Sequence, residues 1–66
     1  MSSIEVLKAE IKKLSAKATQ AKMDLHDLSE ELPINWQSIL GVAQKAHDAF
    51  AELERKRADL KQLETA

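Results

Sequence analysis

The sequence predicts an all-α fold, an antiparallel two-helix hairpin with coiled-coil-like packing. Three observations support this. Apolar residues alternate at spacings of three and four through the first half of the chain, a proline-containing turn follows, and a second apolar stripe at helical spacing runs almost to the C-terminus. The 66 residues include one Trp, one Phe and no Tyr, so a single small domain without an aromatic core is expected.

The first helix is predicted over about residues 3–31. Ser2 or Ser3 is a suitable N-cap, and Pro33 biases Leu32 away from helical torsions, so the helix should end near Glu31. Its apolar seam should pack against the second helix. The seam residues are Ile4, Leu7, Ile11, Leu14, Ala18, Ala21, Leu25, Leu28 and Leu32.

A turn at about residues 32–35 should lead into a second helix over about residues 36–64. Asn35 has a short side-chain acceptor suited to capping that helix, and Trp36 is expected to cover the end of the core. Gly41 inside the helix predicts either a bend after a short first turn or close packing at that position. The second stripe comprises Ile39, Val42, Ala43, Ala46, Ala49, Phe50, Leu53, Leu60 and Leu63.

A straight hairpin places residues whose numbers sum to about 70 opposite each other. Ala18 and Ala21 should therefore lie against Ala49, Phe50 and Leu53, so that the bulkiest core side chain meets small ones. Two helices shield only one side of each other's stripes, and a lone hairpin buries little apolar surface. We therefore expect a four-helix bundle, formed as a homodimer or as a dimer of dimers.

Composition excludes several classes of function. The chain has no cysteine and no apolar run of membrane-spanning length, so a cytoplasmic protein without membrane contact is expected. The net charge of −1 and the lack of stacking aromatics argue against nucleic-acid binding. No phosphate-binding loop or nucleophile–base arrangement is present, so neither enzymatic activity nor a cofactor is expected.

Four carboxylates, on Asp24, Asp27, Glu30 and Glu31, crowd the last turns of the first helix. The helix macrodipole already presents partial negative charge there, so each acid should cost a few tenths of a kcal/mol. One interpretation is a solvated face, with the start of the second helix offsetting Glu30 or Glu31. Another is that lysines of a symmetry-related chain meet the acids, because the first half of this helix is rich in lysine.

A metal site is an alternative interpretation of the same segment. His26, Asp27 and Glu30 share the outer face of the first helix, and an imidazole with carboxylates suits zinc, nickel or iron. A second copy of the chain would complete the ligand shell. His47, beside Asp48 on the second helix, is a weaker candidate ligand.

A surface for another protein is also predicted at this end of the hairpin. Apart from the acids, the segment carries large apolar side chains that the two stripes do not clearly include. The candidate partner-binding residues are Met23, Asp24, Glu31 and Trp36.

The segment LSAKATQAKMDLHDLSEELPINW, residues 14–36, together with AHDAFAEL in the second helix, resembles a Rop-like family of small proteins encoded in nitrogen-fixation gene clusters. The resemblance covers most of the chain. It implies a two-helix hairpin and an accessory role in making or protecting nitrogenase or its metal cofactor, with a nitrogenase-related protein as partner. It supplies no activity and no binding residue that transfers to these positions.

Overall fold

The computed structural model describes residues 2–65 as two long helices joined by a tight turn. Helix α1 spans Ser3–Glu31, a short 3₁₀ turn spans Trp36–Ser38, and helix α2 spans Ile39–Thr65. The helices pack against each other in a rod of 49 × 16 × 13 Å, and the described part of the chain contains no strand. The predicted all-α helical hairpin is thus confirmed. Neither helix has a stretch that is both long and apolar enough to cross a membrane, within residues 2–65.

Both ends of α1 are determined by local chemistry. The backbone N–H of Glu5 donates to Ser2 Oγ at 3.2 Å, so Ser2 caps the first turn, and the Glu5 carboxylate lies favourably near the positive end of the helix dipole. At the other end Leu32 adopts ψ 142°, the extended conformation that a following proline favours. Asp24, Asp27, Glu30 and Glu31 therefore all lie within α1, which ends at Glu31.

The turn differs from the prediction at Asn35. This residue has φ 62°, in the left-handed region, and its side chain forms no capping hydrogen bond with α2. An N-cap residue normally has extended torsions, so the predicted capping role is wrong. Asn35 instead suits the turn because asparagine tolerates left-handed torsions, and its Nδ2 donates back to Glu31 Oε2 at 3.3 Å.

Gly41 lies inside an uninterrupted α-helix. The departure from α-helical geometry comes earlier, in the 3₁₀ turn Trp36–Ser38, and α2 runs from Ile39 through Gly41 without a break. A Cβ atom added at Gly41 would meet no atom within 4 Å, so the alternative of close packing at this glycine is wrong within the hairpin. The surface around Gly41 is open.

The core is narrow and consists of small or aliphatic side chains. Ala18, which is 1% exposed, packs with Ala49 and Leu53, and these three form the central buried cluster. Phe50 was expected in this core but is 43% exposed. It follows Ala46 by four residues and precedes Leu53 by three, so it lies on a neighbouring stripe at the margin of the interface between α1 and α2. The hairpin alone therefore covers only part of Phe50, the largest residue of the two apolar stripes.

Candidate functional site

One long side of the hairpin is lined by charged residues of both helices, and we call it the charged edge. Lys56 Nζ lies 3.4 Å from Glu10 Oε2 and links α2 to α1 across this edge. The pair is partly exposed, so its contribution to stability is small. Further charged residues along the same side are Lys17, Asp24, Lys45, Asp48 and Glu52.

The opposite side carries apolar residues, and we call it the open apolar edge. Ile11 of α1 and Arg57 of α2 line one shallow cavity there together with polar residues of α1 such as Lys8 and Ser15, and Phe50 lies two turns from Arg57 along α2. Phe50 and Leu25 remain exposed, although both belong to the predicted apolar stripes. The edge comprises the partly or largely exposed apolar residues Ile39, Ala43 and Phe50 of α2 with Ile11 and Leu25 of α1.

Charge is segregated along the rod. Residues 23–44, which form the turn end, contain four acidic residues and no Lys or Arg. The remainder of the chain contains seven acidic and ten basic residues. The hairpin therefore has a strongly acidic turn end and a basic end where the two termini lie.

Three of the four acids of the turn end, Asp24, Glu30 and Glu31, have neutral or histidine partners from their own chain. Gln20 Nε2 donates to Asp24 Oδ1 at 3.0 Å, and Asn35 Nδ2 donates to Glu31 Oε2, as described above. Across residues 2–65, no Lys or Arg forms an ion pair with any of the four acids. Lysines nevertheless lie near two of these acids, because Lys17 and Lys45 line a cavity with Asp24, and Lys22 lines one with Asp27.

The candidate metal ligands lie on the surface. His26 Nε2 is 3.5 Å from Glu30 Oε1, one turn along the exposed face of α1, and Asp27 is exposed beside them. Nowhere in the described chain do three or more His, Cys, Asp or Glu side chains converge as a possible metal centre. His47 instead contacts its neighbour Asp48, at 3.4 Å between Nδ1 and Oδ1. A tetrahedral zinc centre would need ligands from a second chain.

The turn end also exposes large apolar side chains. Trp36 is 60% exposed, so the prediction that it covers the end of the core is wrong. Because α2 begins only at Ile39, Trp36 lies in the turn, outside the interface between the helices. Met23, the other candidate contact residue, is also exposed on α1.

Sequence reasoning missed two further apolar residues of this end, Ile34 and Leu40. Both are exposed, and Leu40 is the most exposed large apolar residue found in the described chain. Both residues could have been noticed in the sequence, because neither belongs to an apolar stripe that the other helix would cover. Ile34 lies inside the turn, and Leu40 falls between Ile39 and Val42, off the helical stripe.

The interior offers no preformed polar site. Every buried residue between positions 2 and 65 is apolar, and no buried side-chain nitrogen or oxygen there lacks a hydrogen-bond partner. Any specific chemistry of this hairpin must therefore act at its surface. The fold defines a small helical-hairpin protein whose polar and large apolar side chains of note lie on its surface.

The chain belongs to the Rop-like family, whose family model matches residues 2–65. The sequence resemblance to this family is therefore confirmed. An NMR structure from a structural genomics consortium has the same fold, with a TM-score of 0.87 and 46% sequence identity, over 98% of this chain and 92% of that one.

Relatives with similar sequences come from several bacteria. A UPF0437 protein of Azorhizobium caulinodans is 67% identical over 64 residues, covering 97% of this chain and 93% of the relative. A UPF0437 protein of Frankia alni is 54% identical over 43 residues, covering 65% of this chain and 52% of the relative. The name of the Frankia protein places it in the nifX-nifW intergenic region.

Proposed function

We propose that this protein is a non-enzymatic accessory of nitrogen fixation that works as a helical scaffold. It assembles with itself into a four-helix bundle and contacts a nitrogenase-related protein, supporting assembly of nitrogenase or its cofactor. The observation that carries the proposal is the open apolar edge, with Phe50 43% exposed on it. The position of the Frankia relative in a nitrogen-fixation region supports the biological setting.

Self-association covers the surface that the hairpin leaves open. Packing two hairpins through their open apolar edges buries Phe50 and Leu25 of each chain and removes apolar area from water. An antiparallel arrangement also brings the acidic turn end of one chain beside the basic end of the other. In this proposal the bundle is a homodimer or a dimer of dimers in the cytoplasm, and it requires no cofactor and no nucleic acid.

A gene deletion in a diazotroph that carries this protein tests the biological role. We expect nitrogenase activity per cell to fall when fixed nitrogen is withheld, because an accessory of nitrogenase assembly is then missing. Growth on ammonium should be unchanged and serves as the control. Reintroducing the intact gene should restore nitrogenase activity. Unchanged activity and growth without fixed nitrogen would contradict the proposed role.

Metal handling is the second candidate function, favoured by the 3.5 Å approach of His26 to Glu30. Two copies of the chain would bring two such pairs together, with Asp27 of either chain as a further oxygen ligand. An imidazole and carboxylate set of this kind suits zinc, nickel or iron. Each chain would contribute half of the ligand shell, so the metal would lie between subunits.

This second function predicts a specific loss on replacing His26. Calorimetric titration of the protein with Zn²⁺ or Ni²⁺ should show one ion bound per two chains, and His26→Ala should abolish that binding, because the imidazole is the principal ligand. His47→Ala is the matched control and should leave binding intact. Helicity and solution mass should stay the same in both variants. Equal binding by the unaltered protein and His26→Ala would exclude this site.

A further inference from the structure

We propose that a cavity along the outer side of α1 binds a small organic phosphate. We call it the cationic cavity, because three basic residues of both helices line it together with uncharged side chains. The inference goes beyond the proposed scaffold function, which assigns no ligand to this surface. The residues that define the cavity are the cations Lys8, Lys12 and Arg57 and the apolar residues Ile11, Ala16 and Met23.

The three cations lie at one level of the rod. Lys8 and Lys12 are one turn apart on α1, so they share a face of that helix. Arg57 of α2 lines the same cavity, and its neighbour Lys56 contacts Glu10 of α1. That contact fixes Arg57 at the level of Lys8 and Lys12. Three positive charges from two helices therefore surround one end of the cavity.

No carboxylate neutralises these cations within residues 2–65. No Asp or Glu lines the cavity, and none of the three cations takes part in an ion pair. The acids one turn away, Glu5 before Lys8 and Glu54 before Arg57, form none either. The chain has eleven acidic and ten basic residues, so a cavity with three cations and no acid is a local segregation of charge. An anion that enters meets uncompensated positive charge.

The charge and the donors of the cavity favour a phosphate. A phosphomonoester carries a charge of about −1.5 to −2 near neutral pH and offers three acceptor oxygens, whereas a carboxylate carries a single charge. The planar guanidinium of Arg57 can donate two parallel hydrogen bonds to phosphate oxygens. The hydroxyl of Ser15, a partly buried residue of the lining, is a further donor.

The rest of the cavity suits the organic part of the ligand. Ile11, Ala16 and Met23 contribute apolar lining, and Met23 adapts readily to the shape of a bound group. Met23 follows Lys12 by eleven residues, which corresponds to about 16 Å along the helix. A phosphate held at the cationic end therefore leaves space for an uncharged body along α1, and burial of that body against apolar lining adds affinity.

Most of the cavity stays open in the proposed bundle. The seam of α1 runs through Ile11 and Ala18, and helical spacing places Lys12, Ala16 and Met23 away from it. All three are exposed in the hairpin. A second hairpin on the open apolar edge would cover Ile11 at the margin of the cavity and leave the outer side of α1 in water. Ligand binding and self-association can therefore coexist.

Titration with naphthyl phosphate, followed by NMR of isotopically labelled protein, tests the inference. We expect saturable shifts of the amide signals of Ser15, Ala16 and Thr19, which line the cavity. Inorganic phosphate and naphthoate should each bind about tenfold more weakly, because the first lacks the apolar body and the second carries less charge. Added salt should weaken binding of naphthyl phosphate.

Variants of α1 locate the site. Lys8→Gln/Lys12→Gln should weaken binding of naphthyl phosphate about tenfold or more. Lys13→Gln/Lys17→Gln removes the same charge from the same helix on the charged edge, so it is the matched control and should bind normally. Met23→Ser should weaken binding of naphthyl phosphate and leave that of inorganic phosphate unchanged. Circular dichroism of every variant checks that the helices are intact.

The contribution of α2 is tested separately. Arg57→Gln should weaken binding of naphthyl phosphate about tenfold, because the guanidinium is the bidentate donor. Arg55→Gln makes the same change two residues earlier, outside the lining of the cavity, and should bind normally.

Three outcomes would overturn the inference. The first is equal binding by the unaltered protein and Lys8→Gln/Lys12→Gln. The second is an equal loss in Lys13→Gln/Lys17→Gln, which would mean that only the overall charge of the rod matters. The third is a solution mass that falls in Lys8→Gln/Lys12→Gln while naphthyl phosphate shifts no signal, which would assign the cations to a second copy. Site-specific binding by a single-chain form would retain this inference while refuting the proposed bundle.

Discussion

Replacing Phe50 with Glu is expected to reduce the solution mass of the protein to that of one chain, 7.4 kDa. In the proposed bundle, Phe50 fills the middle of the open apolar edge and is covered by a second hairpin. A carboxylate at that position would have to lose its hydration on assembly without gaining a cation, which costs several kcal/mol. Light scattering at several protein concentrations measures the mass directly.

The matched control for this prediction is Val6→Glu. Val6 has an exposure close to that of Phe50, but it lies beside Glu10 and Asp59 on the charged edge. The same acidic substitution should leave the assembly intact there, because that edge stays in water in the proposed bundle. An unchanged mass in Phe50→Glu would show that the open apolar edge is not the surface through which chains associate.

Replacing Leu53 with Ala is expected to lower the free energy of unfolding by about 2–5 kcal/mol. Leu53 is 4% exposed and packs with Ala18 and Ala49, so truncation leaves a cavity that these small neighbours cannot fill. Such a loss is a large fraction of the stability of a domain this small. Urea unfolding followed by circular dichroism measures it.

Leu40→Ala is the control for the cavity effect. It makes the same chemical change on the same helix at a residue that is 83% exposed, and it should change the free energy of unfolding by less than about 0.5 kcal/mol. Both variants must be compared at one protein concentration, since association contributes to measured stability. Similar losses in Leu53→Ala and Leu40→Ala would contradict the packing described for the core.

The seam and the end of α1 could be predicted from sequence because each depends on local chemistry. Alternation of three and four residues indicates a helical face without reference to its partner, and Pro33 stops the helix through its effect on Leu32. Phe50 could not be placed in this way. It shares a broad apolar stripe with Ala46 and Leu53, and only the relative rotation of α1 and α2 decides which members of that stripe are buried.

The turn shows the same distinction between local and tertiary information. The presence of a turn at Pro33 follows from the proline, but the left-handed torsion of Asn35 depends on how the chain closes against Glu31. That closure delays α2 until Ile39 and leaves Trp36 outside the core. The acids of the turn end were recognised from sequence, whereas their partners were not, because exposed side chains have several contacts of similar energy within reach.

The length of the rod has a consequence for how the proposed scaffold would hold its partners. A hairpin 49 Å long, packed antiparallel with a second copy, carries one turn at each extremity. Two bound molecules would then sit at opposite poles, too far apart to compete for space, and the bundle would act as a spacer of fixed length between them. A target that displays two copies of the contacted surface at a matching separation would be held through both poles at once, and the second attachment would be intramolecular.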